Sequence, residues 1–308
     1  MRFVVTGAAG FIGSHLAEEL LSEGHDVLGV DSFTDYYERA RKERNAAAID
    51  VVEADLAVAA LEPLLAGADG VFHLAGQPGV RASWGEGFQR YLDRNVRATQ
   101  RVFEAAAEMG VRVVFASSSS VYGDAETYPT PEEVVPRPIS PYGITKLACE
   151  HLAAAIGRAH GLDAVVLRYF TVYGPRQRPD MAFTAMLEAL VRGERFRLFG
   201  EGSAARSFTY VGDAVAASIA AMERGRPGEV YNVGGGEEAT MNEAIALVEG
   251  ISGRSVDVQR VEAAAGDVTR TKADVSKAGA ELNWAPATPL REGLQAQWEW
   301  AAAVESPA

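Results

Sequence analysis

The first half of the chain alternates short apolar runs with longer amphipathic ones. RFVVT (2–6), HDVLGV (25–30), IDVVEA (49–54), DGVFHL (69–74), VRVVFA (111–116) and AVVLRYF (164–170) read as strands. They are apolar almost without interruption, as strands are when both faces of a parallel sheet are covered. Between them, 11–23, 57–66, 87–109 and 142–160 carry helical patterns. This alternation predicts an α/β fold, a doubly wound parallel sheet of the Rossmann type.

After residue 174 the pattern breaks. Pro175, Pro179 and an arginine-rich loop interrupt it, and shorter segments follow: 181–192, 196–199, 206–210, 213–224, 229–233, 240–252, 256–260, 274–281 and 290–303. We divide the chain into a first unit, 1–174, and a smaller mixed α/β unit, 175–308, that shares a cleft with it. Residues 213–224 are expected to pack back onto the sheet. A length of 308 residues fits two such units.

The first strand runs directly into TGAAGFIGSHL, which spaces Gly7, Gly10 and Gly13 evenly. A glycine triplet means little alone. Placed after a strand and opening a helix, it predicts a dinucleotide site. Gly7 turns the chain tightly, Gly10 lets the backbone approach a pyrophosphate at a helix N-terminus, and Gly13 lets the helix sit close to the sheet. Asp31 ends the second strand, 18 residues beyond Gly13. A carboxylate there accepts from the adenosine ribose hydroxyls and repels a 2′-phosphate, which favours NAD over NADP. The alternative for Asp31 is a turn acid. Asp55 either meets adenine or caps a helix.

Composition narrows the partners. The formal net charge of −13 argues against nucleic acid. One cysteine, Cys149, excludes an internal disulfide and a cysteine metal site. The five histidines are scattered, so no metal is expected; His73 reads as a packed or backbone-bonded residue near the cofactor. No run reaches the roughly 18 apolar residues of a membrane span, and the N-terminus lacks the pattern of a signal peptide. The expectation is a soluble cytoplasmic protein. The run RARKER (39–44) reads as a solvated face.

Two further stretches carry chemistry. SSSSVYG (117–123) comes after the fifth apolar strand, and PYGITK (141–146) places Tyr142 and Lys146 four residues apart, on one side of a helix. A free tyrosine has a pKa near 10; a neighbouring ammonium favours the phenolate and makes a general base.

Together with HLAG (73–76), Asn95, YFTVYGP (169–175), RSFTYVGD (206–213) and GDVTRTKADVSKAGAELNW (266–284), these motifs resemble the extended short-chain dehydrogenase/reductases of the nucleotide-sugar epimerase/dehydratase family. The resemblance spans nearly the whole chain. It implies a tightly held NAD, bordered by Phe11, Ile12, Leu56, Leu74, Ala75 and Asn95 besides the residues above. It implies that Tyr142 takes the proton of a sugar 4-hydroxyl while hydride leaves C4, that Lys146 also holds the nicotinamide ribose, and that Ser118 bonds the reacting oxygen. Arg206 would hold the diphosphate. At the family's second diphosphate-arginine position, just before Gly266-Asp267, this chain has Ala264; Arg270 is the candidate substitute, and Asp267 is a candidate ligand contact. The long helices 87–109 and 142–160 would form the family's four-helix homodimer interface, and the segment 39–44 would lie near the cofactor and active site.

Family members share the first oxidation and differ in the chemistry after it. Dehydratases resemble T-D-E-V-Y-G after this strand and decarboxylases T-S-E-V-Y-G; this chain has Ser119 and Ser120 instead. Lacking an acid or base there, it is expected to reduce the ketone on its other face, which is 4-epimerisation. DSFTDYYERARKER (31–44), GQPGVRASW (76–84), the hydroxyls at 118–120 and TVYGPRQRPDMA (171–182) resemble the UDP-glucuronate 4-epimerases within the family. Ser119, Ser120 and Thr171 would donate to the sugar carboxylate, with Arg178 and Met181 nearby; Arg178 could equally face phosphate or solvent. The rivals are a UDP-glucose or UDP-N-acetylhexosamine 4-epimerase, a decarboxylase or dehydratase, and a non-catalytic NAD-binding protein.

Overall fold

The computed structural model describes residues 1–262 and 270–305. Six strands of the first half form as parallel neighbours: β1 (Arg2–Thr6), β2 (Asp26–Asp31), β3 (Asp50–Glu53), β4 (Gly70–His73), β5 (Arg112–Ser118) and β6 (Ala164–Tyr169). The helices between them are α1 (Phe11–Ser22), α2 (Arg39–Asn45), α3 (Glu62–Leu65), α4 (Phe88–Tyr91), α5 (Ala98–Met109) and α6 (Pro141–His160). The central strands β4 and β6 are buried at every position, which is why their sequences run apolar without alternation.

The second half contributes α7 (Ala182–Arg192), α8 (Val211–Arg224), α9 (Met241–Ser252), α10 (Ser276–Leu282) and α11 (Leu290–Glu305). Its strands are short. A two-residue β7 (Val172–Tyr173) precedes β8 (Phe196–Phe199), β9 (Ala205–Ser207), β10 (Thr209–Tyr210), β11 (Val230–Val233), β12 (Glu238–Thr240), β13 (Val258–Val261) and β14 (Arg270–Thr271).

The main sheet has seven strands in the order β11-β6-β5-β4-β1-β2-β3. Helix α8 packs on it, with Ala214, Ala217 and Ala221 in the same core as β1 and β6. The return goes further than the one helix the sequence indicated: β11 comes after α8 and pairs with β6. Asn232 lies in its middle, yet it is fully buried. Its side chain donates to the carbonyls of Thr130 (2.9 Å) and Asp274 (3.1 Å), so the polar residue costs little.

Two predicted helices are shorter or broken. Of 57–66, only 62–65 is α-helical; the Asp55 carboxylate caps a separate turn through the Ala57 amide at 2.9 Å. The segment 87–109 contains a wide π turn at Leu92–Arg97 before α5. That turn carries Asn95 fully inward; such turns recur at functional sites. Helix α6 starts where its sequence says it should: the Ser140 hydroxyl accepts from the Gly143 amide at 3.1 Å, and Pro141 fills the first turn.

Candidate active site

A cavity of about 420 Å³ opens at the C-terminal ends of the sheet strands. Its floor is at the β4–β1 boundary, where the strand order reverses and open α/β sheets bind their ligands. Gly7 takes a left-handed φ of +72°, and a Cβ there would lie 2.9 Å from the Ala75 amide nitrogen. A side chain at Gly13 would strike the Gly7 carbonyl. Helix α1 therefore begins against the strand ends, and no side chain caps it. Its first amides are left for an anion.

Gly7, Gly10, Phe11, Ile12 and Gly13 all line this cavity. So do Asp31, Asp55, Leu56, Leu74 and Ala75. The Asp31 carboxylate is fixed by the Ala9 amide (3.1 Å) and the Phe33 amide (2.8 Å). Burial raises its pKa above the usual range, partly countered by those amides and by the charge of Lys42. The glycine cradle, the open helix start and the fixed carboxylate together fit NAD.

Asn95 is near the site but does not line it. Its side chain accepts from the Gln77 amide (2.6 Å) and donates to the Gln77 carbonyl (3.1 Å) and the Thr145 hydroxyl (3.1 Å). It ties the loop after β4 to α6, one residue before Lys146.

At the other end of the cavity, Ser118, Ser119, Ser120, Tyr142, Lys146 and Thr171 share the lining with Met181 and Arg178. The Ser118 hydroxyl accepts from the Ser120 amide at 3.2 Å and donates to its hydroxyl at 3.1 Å. Lys146 donates through Nζ to the Ala116 carbonyl at 2.8 Å and sits 4.9 Å from the centre of the Phe115 ring. The Tyr142 ring meets Tyr91 edge-on at 6.2 Å. Arg178 pairs with Asp180 (3.0 Å), and its charge also interacts with Tyr142.

Arg206 and Arg270 stand outside this lining, on a three-stranded sheet ordered β12-β9-β14. Arg270 pairs with Glu238 and stacks 4.9 Å over Tyr128. Asp267 lies outside the described residues, as does Ala264. Among the described residues no cluster of three metal-ligating side chains forms, and no helix is long and apolar enough to cross a membrane.

One reading needs correction. Residues 39–44 are not simply a solvated face. Lys42 is 4% exposed, and its ammonium donates to the Thr34 carbonyl (2.6 Å) and hydroxyl (3.0 Å) beside Asp31. The signal was available: Lys42, Asn45, Ala46 and Ile49 recur at helical spacing and are all buried. His73 is packed, one of the two alternatives expected for it, and its ring nitrogens meet hydroxyls rather than the backbone. It lies between Thr6 (2.8 Å) and Thr99 (3.0 Å), stacked on Phe115. Burial pushes its pKa down to about 3, helped by the charge of Lys146. Tyr36, Gln77 and Arg94 also line the cavity and were not anticipated. Each lies on a loop or irregular turn, where side-chain direction obeys no simple period.

The chain resembles known proteins over nearly its full length. The model of the NAD dependent epimerase/dehydratase family matches residues 3–234. A Bacillus subtilis protein described as an uncharacterized UDP-glucose epimerase, YtcB, is 42% identical over 96% of each chain. The crystal structure of a UDP-glucuronic acid 4-epimerase from Bacillus cereus, in complex with UDP-glucuronic acid and NAD, superposes with a TM-score of 0.95 at 38% identity, covering 99% of this chain and 100% of that one. MoeE5, solved with NAD and UDP-glucuronic acid, gives 0.89 at 42% identity, covering 97% and 98%. Family model, relatives, sheet order and glycine cradle agree: the chain belongs to the NAD-dependent epimerase/dehydratase family, with NAD as its cofactor.

Proposed function

We propose that this enzyme interconverts UDP-glucuronate and UDP-galacturonate by oxidation and re-reduction at the sugar C4. One observation carries the reading. Among the described residues, the only carboxylates lining the cavity are Asp31, which ends β2, and Asp55, just after β3. Around Tyr142 the lining is Ser118, Ser119, Ser120 and Thr171. Elimination without a positioned acid or base loses about 10²–10⁴-fold for each. Neutral hydroxyls also accept a sugar carboxylate that an acidic side chain would repel. The relatives carry names on both sides, UDP-glucuronate and UDP-glucose epimerases, so the choice between them rests on these side chains.

NAD supplies the hydride acceptor and donor at C4. Tyr142 takes the 4-hydroxyl proton and later returns it. Lys146, one helical turn on and anchored to the Ala116 carbonyl, brings positive charge to that proton transfer, and Arg178 adds a second cation. Ser118 holds the reacting oxygen. Arg206 holds the diphosphate, a role supported by the strand it occupies: β9 leads to Thr209, whose amide donates to the Thr171 carbonyl at 2.9 Å. Arg270 is a candidate second contact on that side.

Oxidising C4 of a glucuronate makes a β-keto acid, which loses CO₂ when the breaking bond lies along the carbonyl π system. Ser119, Ser120 and Thr171 hold the carboxylate out of that alignment. Ser119→Ala and Thr171→Ala should therefore release more UDP-pentose per turnover than the parent. Unchanged pentose release would remove the clamp from the account.

The protein works as a cytoplasmic homodimer paired through α5 and α6. The exposed Met109 and Ile144 on these helices and the single buried cysteine support this.

A further inference from the structure

Among the described residues, four cations line the catalytic cavity: Lys42, Arg94, Lys146 and Arg178. Three of them are engaged. The Lys42 ammonium donates to the Thr34 carbonyl and hydroxyl and faces Asp31. Lys146 is anchored at the Ala116 carbonyl. Arg178 pairs with Asp180 through two nitrogens, at 3.0 and 3.1 Å. Arg94 differs. Its one hydrogen-bond partner among the described residues is neutral: Nη1 donates to the Gln77 side-chain oxygen at 2.7 Å. Its side chain is only half-buried, so the other N–H groups stay accessible from the cavity.

The backbone places Arg94 on the cofactor side. It belongs to the π turn Leu92–Arg97, next to Asn95. Asn95 turns inward and binds the Gln77 backbone, while Arg94 binds the Gln77 side chain. Gln77 is two residues beyond Ala75, whose amide nitrogen lies against Gly7. The charge of Arg94 is also felt at Lys42, beside Asp31. A cation is needed there. The pyrophosphate of NAD brings two negative charges, and an open helix start offers the equivalent of about half a positive one. Asp31 and Asp55 add carboxylates to the same lining.

We propose that Arg94 is a cofactor-binding residue that completes the pyrophosphate site begun by the first amides of α1. A guanidinium presents forked N–H pairs that suit phosphate oxygens. The bond to Gln77 fixes one arm of the fork and leaves the remaining donors for the ligand. This role is distinct from the one given to Arg206, which stands outside the lining.

The rate of NAD release from the purified holoenzyme after dilution, followed by absorbance of the free cofactor at low and at high salt, tests this. Arg94→Gln should release NAD at least about tenfold faster at low salt. Its release should also respond less to salt than the parent's, because salt screens a charge it no longer has. Arg94→Lys keeps the charge and should stay within about threefold of the parent. A residue that merely props Gln77 would behave otherwise: lysine would do as much damage as glutamine, and the salt response would match the parent's. That result overturns the proposal, as does unchanged NAD release in Arg94→Gln. If Arg94→Gln fails to fold, Arg94→Lys decides alone: release near the parent's rate with the parent's salt response supports the site, and release about tenfold faster overturns it.

Discussion

Glu150 and Arg168 form a buried ion pair, 2.7 Å apart and each under 10% exposed, between α6 and β6. Glu150 also accepts from the Ser117 hydroxyl, next to Ser118, and lies one turn beyond Lys146 on α6. Arg168 reaches on to the Tyr122 hydroxyl at 2.8 Å, which donates to Asn232 at 2.8 Å. One network thus joins β5, α6, β6 and β11, the elements that aim the serines, the tyrosine and the lysine. Removing one member of such a pair leaves a buried charge. Glu150→Ala should destabilise the protein by about 3–5 kcal/mol in urea denaturation. A loss below about 1 kcal/mol would mean that water replaces the carboxylate and that the network does not hold the site.

Tyr142 carries the proton transfer in this account, while its packing against Tyr91 is ordinary ring contact. Tyr142→Phe keeps that contact and removes the base. Its kcat should fall by about 10²–10⁴-fold with little change in KM or in bound NAD. A drop in KM-dependent binding alone would assign Tyr142 to substrate positioning instead.

The glycine cradle predicts a cofactor defect that leaves folding intact. A Cβ at Gly13 meets the Gly7 carbonyl, so either the turn or α1 must shift. Overpacking of this kind costs about 1–3 kcal/mol. Gly13→Ala should purify with NAD bound at least about tenfold more weakly, measured by cofactor release and absorbance. Full NAD retention would show that the turn moves without affecting the anion site.

His73 predicts a pH dependence of stability. Its folded pKa, about 3, lies well below the ordinary value of 6.5. Below pH 6.5 the unfolded chain takes up a proton at this residue and the folded chain does not. The neutral His73 therefore contributes fully above pH 6.5, and the contribution is lost as pH falls, by about 1.4 kcal/mol per unit. Denaturation series at pH 7.5 and 5.5 should show a total loss of about 1.4 kcal/mol from this residue in the parent, and a correspondingly smaller loss in His73→Asn. Equal losses would mean that the Thr6 and Thr99 hydroxyls accommodate the charged ring.

Much of this was legible in the chain itself. Unbroken apolar runs located the central strands, and Gly7, Gly10 and Gly13 located the cofactor turn, because each rests on short-range physics. Other features depend on distant partners. The segment 229–233 was legible, but its place in the main sheet was not, since the burial of Asn232 is sustained by carbonyls from two remote segments. The π turn at Leu92–Arg97 cannot be read from spacing, because its neighbours set it. Lys42 was visible as a helical position but disguised by the charges around it. Asn95 was expected at the cofactor, yet its bonds go to Gln77 and Thr145, so its contribution here is to hold the loop.

The central claim is that an enzyme with bound NAD and a hydroxyl-lined sugar end epimerises a hexuronate. Proton NMR of the purified protein, with no cofactor added, tests it directly when UDP-glucuronate and UDP-glucose are supplied separately. The account predicts UDP-galacturonate from the former and no comparable turnover of the latter. Turnover of UDP-glucose with UDP-glucuronate left untouched would contradict it, and with it the assignment of Ser119, Ser120 and Thr171 to a carboxylate.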